Sequence, residues 1–493
     1  MRRPSRFKNH SAELLRLSGP ILLAHLTLLC SGVADAAMAG NHGTQALAAV
    51  GIGSSLWGTV FASFFGIIQG LSSIVGRKFG AGERYQIGAW VRAGALLAVV
   101  FGVGGAVLLV LMAEPLFRLA RVPEGVLAAA LDYVGIVALA LPAALLMRVF
   151  HALTSAIKRP QPIVWINACA LLVKVPLSFA LMHGVAGAPE LGLEGCAYGT
   201  VAMFVFMALM SGAWLLVDPC YRELGLRSRP AVADWHKACR VLALGAPIGV
   251  SQLLEIGSLT IMAFIIARLG AHSTAAHQIL ASLTGLMFMS PMALGVGAQT
   301  LIANAIGKED WAVARDIART SICLSMLWGL GAAASLLGGA SLVLRAYTED
   351  LEVTQMVLSL MPIFVFYLVF DAIQIVAASA LRGYEQTLLP SLVYVVSLWG
   401  VGVVGGHMLT HGIAPAGDWA PAIPALGLPG VWLAGATSLF TCALTLGWLL
   451  ELRSRSWRIV SLVPRRDADQ ARACATCCTP RPRPRRRRPG PAR

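Results

Sequence analysis

Four carboxylates lie inside stretches that are otherwise apolar: Asp35, Asp132, Glu255 and Asp371. An ionised carboxylate is strongly disfavoured in such surroundings unless it faces a cavity or a partner, so each is a candidate for taking up and releasing a cation. Asp132 falls near the end of its stretch, where an interfacial carboxylate is the simpler reading. Glu255 and Asp371 lie deep, with apolar neighbours on both sides. Tyr367 precedes Asp371 by four positions and so shares its helical face. A phenol there can hydrogen-bond the carboxylate, help ligate a cation, or simply pack. Lys174, in KVPLSF, is an ammonium inside an apolar stretch. It either snorkels to the inner interface or pairs with a carboxylate such as Asp35, and its distance from the end of the stretch favours pairing. Gln278 is a polar side chain at the mouth of another stretch, beside His277, which reads as a structural hydrogen-bonder. No P-loop, GxSxG, HExxH or EF-hand pattern occurs, so neither an ATP-driven pump nor a hydrolase is supported, and no enzymatic activity is expected.

The elements that carry these residues follow from composition. The chain has 493 residues, 57% of them hydrophobic and 13% charged, with a mean hydropathy of +0.72. Soluble proteins average about 25% charged residues. The apolar residues come in twelve blocks, from Leu17–Met38 to Leu428–Leu450, with Val126–Phe150 the fourth and Ser391–Leu409 the eleventh. A bilayer core needs roughly 20 apolar residues per helix. The blocks therefore predict an all-α integral membrane protein of twelve spans, with Pro142, Pro176, Pro291 and Pro362 tolerated inside them. Period-2 alternation is absent, which excludes a β-barrel, and no cleavage pattern closes the first block as a signal peptide. All but six of the 39 Lys and Arg fall at the termini and in the loops after even-numbered spans. Arg118, Arg121, Arg268 and Arg345 lie in the opposite loops, and Arg148 and Lys174 within spans. Basic loops stay cytoplasmic, which predicts both termini inside.

An internal repeat organises the whole. An ungapped shift of 227 positions pairs Pro20 with Pro247, Gly43 with Gly270, Gly70 with Gly297, Gly80 with Gly307 and Arg92 with Arg319. The shift spans an even number of helices, so the two halves are parallel, an arrangement that places a substrate path between them near the midplane. The expected organisation is a cytoplasmic N-terminus (1–16), an N-lobe (17–217), a cytoplasmic linker (218–240), a C-lobe (241–452) and a basic tail (453–493). That tail, with ten Arg in Arg465–Arg493, is expected to be disordered and solvated, so the net charge of +15 does not point to nucleic acid. Cys474, Cys477 and Cys478 lack a second ligand pair, so no metal site is expected there.

VADAAMAG around Asp35, TAAHQI at the eighth span, SPMALGVGAQT after it and ALRGYEQT after the tenth resemble multidrug and toxic compound extrusion (MATE) transporters. Glu255 with Asp371 is similar to the NorM-type branch. The resemblance covers Leu17 to Leu450 and implies a V-shaped pair of six-helix bundles in a bacterial-type inner membrane. It implies a monomeric antiporter, without a resident cofactor, that exports cationic amphipathic compounds against H⁺ or Na⁺ entry. Carried over by position, Glu255, Asp371 and Tyr367 match a cation site in the second lobe. Asp35 matches a carboxylate whose protonation drives bending in some relatives, with Pro20 as the kink. Gln278 matches a substrate-contacting residue, and Glu349 and Asp350 match an acidic pair in an outward loop, although a solvated loop accounts for that pair equally well. Phe288 stands where some members carry a Tyr, keeping the π face but losing the hydroxyl. Lys174 stands where relatives often show Asn. The alternative readings are a lipid-linked oligosaccharide flippase of the wider superfamily, whose cavities are usually basic, and a non-transporting scaffold that tethers partners through the tail.

Overall fold

The computed structural model describes residues 4–187, 189–226, 233–412 and 425–460, and every extended regular element among them is helical. The N-terminal half comprises α1 (Pro4–His42), α2 (Thr44–Gly80), α3 (Ile87–Leu119), α4 (Glu124–Ala138), α5 (Leu141–Ala156), α6 (Gln161–His183) and α7 (Leu193–Val217). The C-terminal half comprises α8 (Ala233–Ala267), α9 (Ala271–Gly307), α10 (Trp311–Tyr347), α11 (Leu351–Gly383), α12 (Leu388–Tyr394), α13 (Gly405–His411) and α14 (Leu428–Val460). Eleven helical stretches are long and apolar enough to cross a membrane, and the bent pair α4 and α5 makes a twelfth. Helices close their backbone hydrogen bonds internally, which is what hydrocarbon demands. Leu172, Leu209 and Leu342 are exposed, as lipid-facing side chains should be. The chain divides into two units, Met1–Leu450 and Glu451–Arg493; within the second, Arg455 pairs with Glu451 at 2.9 Å. The Arg-rich run and the three tail cysteines lie outside the described residues.

Two spans depart from the simple helices that the apolar blocks suggest. The fourth bends by 46° between Ala138 and Leu141. Pro142 sits in the first turn of α5, where its missing N–H is tolerated. The eleventh passes from α12 into a π-helical segment, Val395–Val404, before α13. Pro176, Pro291 and Pro362 remain inside continuous helices.

The halves meet through α1, α2, α8 and α9. Gly66 and Gly70 of α2, one turn apart, face Gly249 and Gly245 of α8. A Cβ on Gly66 would lie 2.7 Å from the Gly249 Cα, and one on Gly70 3.0 Å from the Gly245 nitrogen. Only paired glycines let the backbones approach this closely. Gly297 of α9, the repeat mate of Gly70, meets Ser18 of α1, the repeat mate of Gly245. The two crossings are thus one contact made twice under the 227-residue shift. Both α2 and α9 bury a continuous run in their C-terminal halves, Ile68 to Gly76 and Gly297 to Ile306, while Ser54, Ser55, Ser282 and Leu286 near their starts are exposed. The halves are therefore packed along the C-terminal parts of α2 and α9, and the starts of these helices are more exposed. Leu14, Leu17 and Ile21 of α1 belong to the core of the C-terminal half, whereas Ala24 packs with Met147 and Phe150 in the N-terminal half. Pro20 sits where α1 passes between the two cores.

Candidate functional site

The C-terminal half gathers polar groups on the buried face of α11. Tyr367, Asp371 and Gln374 recur at one helical spacing, and all three are buried. Gln374 Nε2 donates to Asp371 Oδ1 at 3.2 Å, and the Tyr394 hydroxyl of α12 donates to Gln374 Oε1 at 2.5 Å. Because the tyrosine takes the amide oxygen, the amide N–H group is turned toward the carboxylate. Glu255 of α8 is half-buried, and its charge acts on Asp371 and on the Arg382 guanidinium. Two carboxylates, one amide, one guanidinium and a phenol make a site that can exchange a single positive charge without any external counter-ion.

Neighbouring elements hold α8 in place for this. Trp399, in the π-helical segment, donates its indole N–H to the Leu254 carbonyl at 3.0 Å, one residue before Glu255. Ser391 of α12 lies 2.7 Å from the Pro247 carbonyl and 2.8 Å from Ser251 Oγ. Widened helical turns of this kind recur at functional sites because they re-aim side chains. The Tyr367 ring packs edge-on against Trp432 at 5.4 Å and beside Phe364 at 6.5 Å.

The N-terminal half holds a different arrangement. Lys174 of α6 is 1% exposed and donates to Asp35 Oδ2 of α1 at 2.6 Å and to Ser31 Oγ at 2.6 Å. Cys196 and Thr200 of α7 complete the carboxylate, at 3.2 Å to Oδ1 and 3.4 Å to Oδ2. The ammonium does not snorkel: it is enclosed by three helices, with its positive charge against the carboxylate. Asp35 is buried with an internal cation, Asp371 with a neutral amide.

The remaining sequence-derived positions are not gathered into either cluster. Gln278 is exposed and Phe288 half-buried on α9, and neither joins the Asp371–Gln374–Tyr394 chain among the described hydrogen bonds. Glu349 and Asp350 are exposed. Asp350 caps α11, accepting from Glu352 N at 2.8 Å and Val353 N at 3.3 Å, and its other oxygen lies 3.7 Å from His272. α1 runs through Pro20 as one helix. Gln374 was within reach of sequence reasoning, three residues after Asp371 on the same face; Tyr394 and Arg382 were not, since nothing local links them to Glu255. Among the described residues no group of three or more His, Cys, Asp or Glu side chains is placed to hold a metal ion.

The family model MatE matches residues 20–180 and again 247–408, two segments that begin 227 positions apart, the shift of the internal repeat. Over 446 residues the chain is 32% identical to a probable multidrug resistance protein NorM of Neisseria meningitidis serogroup B, covering 90% of this chain and 94% of that one. It is 29% identical to the multidrug resistance protein PmpM of Pseudomonas aeruginosa over 467 residues, 94% of this chain and 96% of the relative. Among solved structures, the eukaryotic MATE transporter AtDTX14 superposes with a TM-score of 0.81 at 16% identity, over 92% of this chain and 98% of that one. An outward-facing multidrug resistance MATE transporter gives 0.79 at 17% identity, over 90% and 96%. These two likenesses bear on the fold alone.

Proposed function

We propose that this chain, which belongs to the MatE family of multi-pass membrane transporters, exports cationic amphipathic compounds in exchange for H⁺ or Na⁺. The family is one of transporters and not of enzymes, and the curated relatives are named for multidrug resistance. The observation that carries the reading is the buried Asp371, held by Gln374 and Tyr394 and facing the charge of Glu255. Such a carboxylate has one negative charge to offer. A proton or Na⁺ and a cationic substrate compete for it, and competition for one charge is the whole of antiport coupling: binding either lowers the affinity for the other by the same factor. The cation is cargo, so no resident cofactor is required, and one chain suffices.

The packed ends of α2 and α9 are basic, with Arg77 and Lys78 in the last turn of α2 and Lys308 just after α9. Basic loops belong to the cytoplasm. In a bacterial-type inner membrane this arrangement corresponds to a carrier closed inside and open outside, with cytoplasmic termini. Gln278, exposed at the start of α9, and Phe288 further along it line the route by which substrate leaves, and Glu349 and Asp350 stand at the outer rim.

The test is efflux of a fluorescent cationic dye from cells, with Na⁺ and pH gradients imposed separately. Asp371→Asn and Glu255→Gln keep side-chain shape but remove the exchangeable charge. Each is expected to reduce gradient-driven efflux to background at unchanged membrane expression. Full efflux by either variant overturns the assignment.

A further inference from the structure

A second cluster of buried polar groups takes no part in the cation chemistry. Arg148 and His151 on α5 and His25 on α1 are 8%, 8% and 7% exposed, and with Gln69, Ser72 and Gln299 they line a cavity of about 30 Å³ between α1, α2, α5 and α9. Arg148 Nη1, His151 Nε2, His25 Nδ1 and Ser72 Oγ have no hydrogen-bond partner among the described residues. The guanidinium lies over the rings of Phe65 at 4.4 Å and Phe61 at 5.2 Å, and the two imidazoles stack at 6.5 Å. Gln299 is already engaged, donating to Ser73 Oγ at 2.9 Å and accepting from Gln69 at 3.5 Å. No residue lining the cavity is acidic. The charged group acting on both imidazoles is Arg148.

A guanidinium inside the membrane region ordinarily finds a carboxylate or a set of carbonyls. Lys174 does so in this same half; among the described residues Arg148 has only aromatic faces, which attract its charge but leave its in-plane donor unused. Unpartnered guanidinium, imidazole and hydroxyl groups on residues that line one small space, with the positive charge of Arg148 and no acid, define the complement of an anion. The volume fits one small ion or the carboxylate group of a ligand. We propose that this cavity binds a small anion, a halide or one carboxylate, held by Arg148 with His25 and His151. Gln299 comes from α9, so the bound anion touches both halves at the level where they are packed. This site is independent of Glu255 and Asp371, and its failure would leave the proposed cation antiport standing.

Thermal unfolding of the purified full-length protein, followed by tryptophan fluorescence, tests it. Gluconate is replaced at constant ionic strength by chloride, bromide, formate or acetate. A ligand of the folded state raises the midpoint in proportion to the logarithm of its concentration once saturated, and such a rise is expected for the small anions over gluconate. A response to halides identifies a free inorganic ion as the occupant; a response to formate and acetate alone identifies the carboxylate of a larger ligand. Arg148→Gln is expected to abolish the rise, Arg148→Lys to retain it in part, and His151→Gln to shift its concentration dependence several-fold to weaker binding. Should Arg148→Gln fail to accumulate, the other two variants decide. No difference from gluconate in the unmodified protein, or an undiminished rise in both Arg148→Gln and His151→Gln, overturns the proposal.

Discussion

At the scale of single residues, two carboxylates related by burial differ in what neutralises them. Asp371 is held by Gln374, whose amide offers a hydrogen bond and no charge. Asp35 is held by Lys174, an ammonium that fills the place a metal ion would take and would repel one arriving there. Removing one member of a buried pair leaves the other charged and unpartnered, a loss of about 3–5 kcal/mol, whereas removing both is far milder. Lys174→Asn is therefore expected to destabilise the protein by about that amount, and Asp35→Asn added to it to recover most of the loss. A double-mutant cycle on thermal unfolding reads this directly. Dye efflux across a Na⁺ series at fixed pH reads the functional side: Lys174→Asn should make transport depend more on external Na⁺, and the double variant should lose that gain. Unchanged stability and ion dependence in Lys174→Asn would leave the lysine with no role beyond filling space.

At the scale of elements, the crossing of α2 and α8 depends on glycine where most helix contacts depend on side chains. Gly58 and Gly66 lie two turns apart on α2, yet a Cβ on Gly58 meets nothing within 4 Å, while one on Gly66 meets the α8 backbone. Backbone cannot swing aside as a side chain can. Gly66→Ala is expected to cost about 1–3 kcal/mol as an overpacking substitution and to lower efflux, and Gly58→Ala to leave efflux untouched and raise stability by up to about 1 kcal/mol. Comparing the two variants at matched expression separates steric closure from helix propensity, which both substitutions improve alike. The π-helical segment acts at the same scale. Trp399→Phe keeps an aromatic ring, though a smaller one, and removes the hydrogen bond to Leu254 O. It is expected to weaken stability by about 1 kcal/mol, with the greater effect on efflux, because the strut ends beside Glu255.

At the scale of the whole molecule, α2 and α9 are packed at one end and exposed at the other, and the proposed orientation makes the exposed end extracellular. Cysteines introduced at Ser55 and Ser282, both exposed and both repeat mates, should react with an impermeant thiol reagent on intact cells, in a background without Cys30, Cys169, Cys239 and Cys323, which are exposed. A cysteine at Ser73, 1% exposed in the packed end, should not. The reverse pattern would invert the topology. Truncation after Arg455 should leave efflux per transporter unchanged, since the transport residues all lie within Met1–Leu450; loss of efflux at normal expression would give the tail a role in transport.

Much of this protein was legible before folding, for reasons that are one-dimensional. Span number follows from bilayer thickness, and the twofold architecture from glycines and prolines recurring at 227 positions. Glu255, Asp371, Asp35 and Lys174 stood out because a charge in an apolar run is conspicuous wherever it points. What surrounds each charge was not legible, because partners come from helices distant in the chain. Lys174 reaches Asp35 across 139 positions, and Tyr394 finds Gln374 only once α12 packs beside α11. The bend at Pro142 and the widened turns after Tyr394 also needed the structure. A proline in an apolar run is compatible with a kink or with none, and the neighbouring helices decide which. Arg148 shows the limit most plainly: its sequence neighbours say only that it lies in a span, while its want of a counter-charge is a property of the space enclosed by four helices.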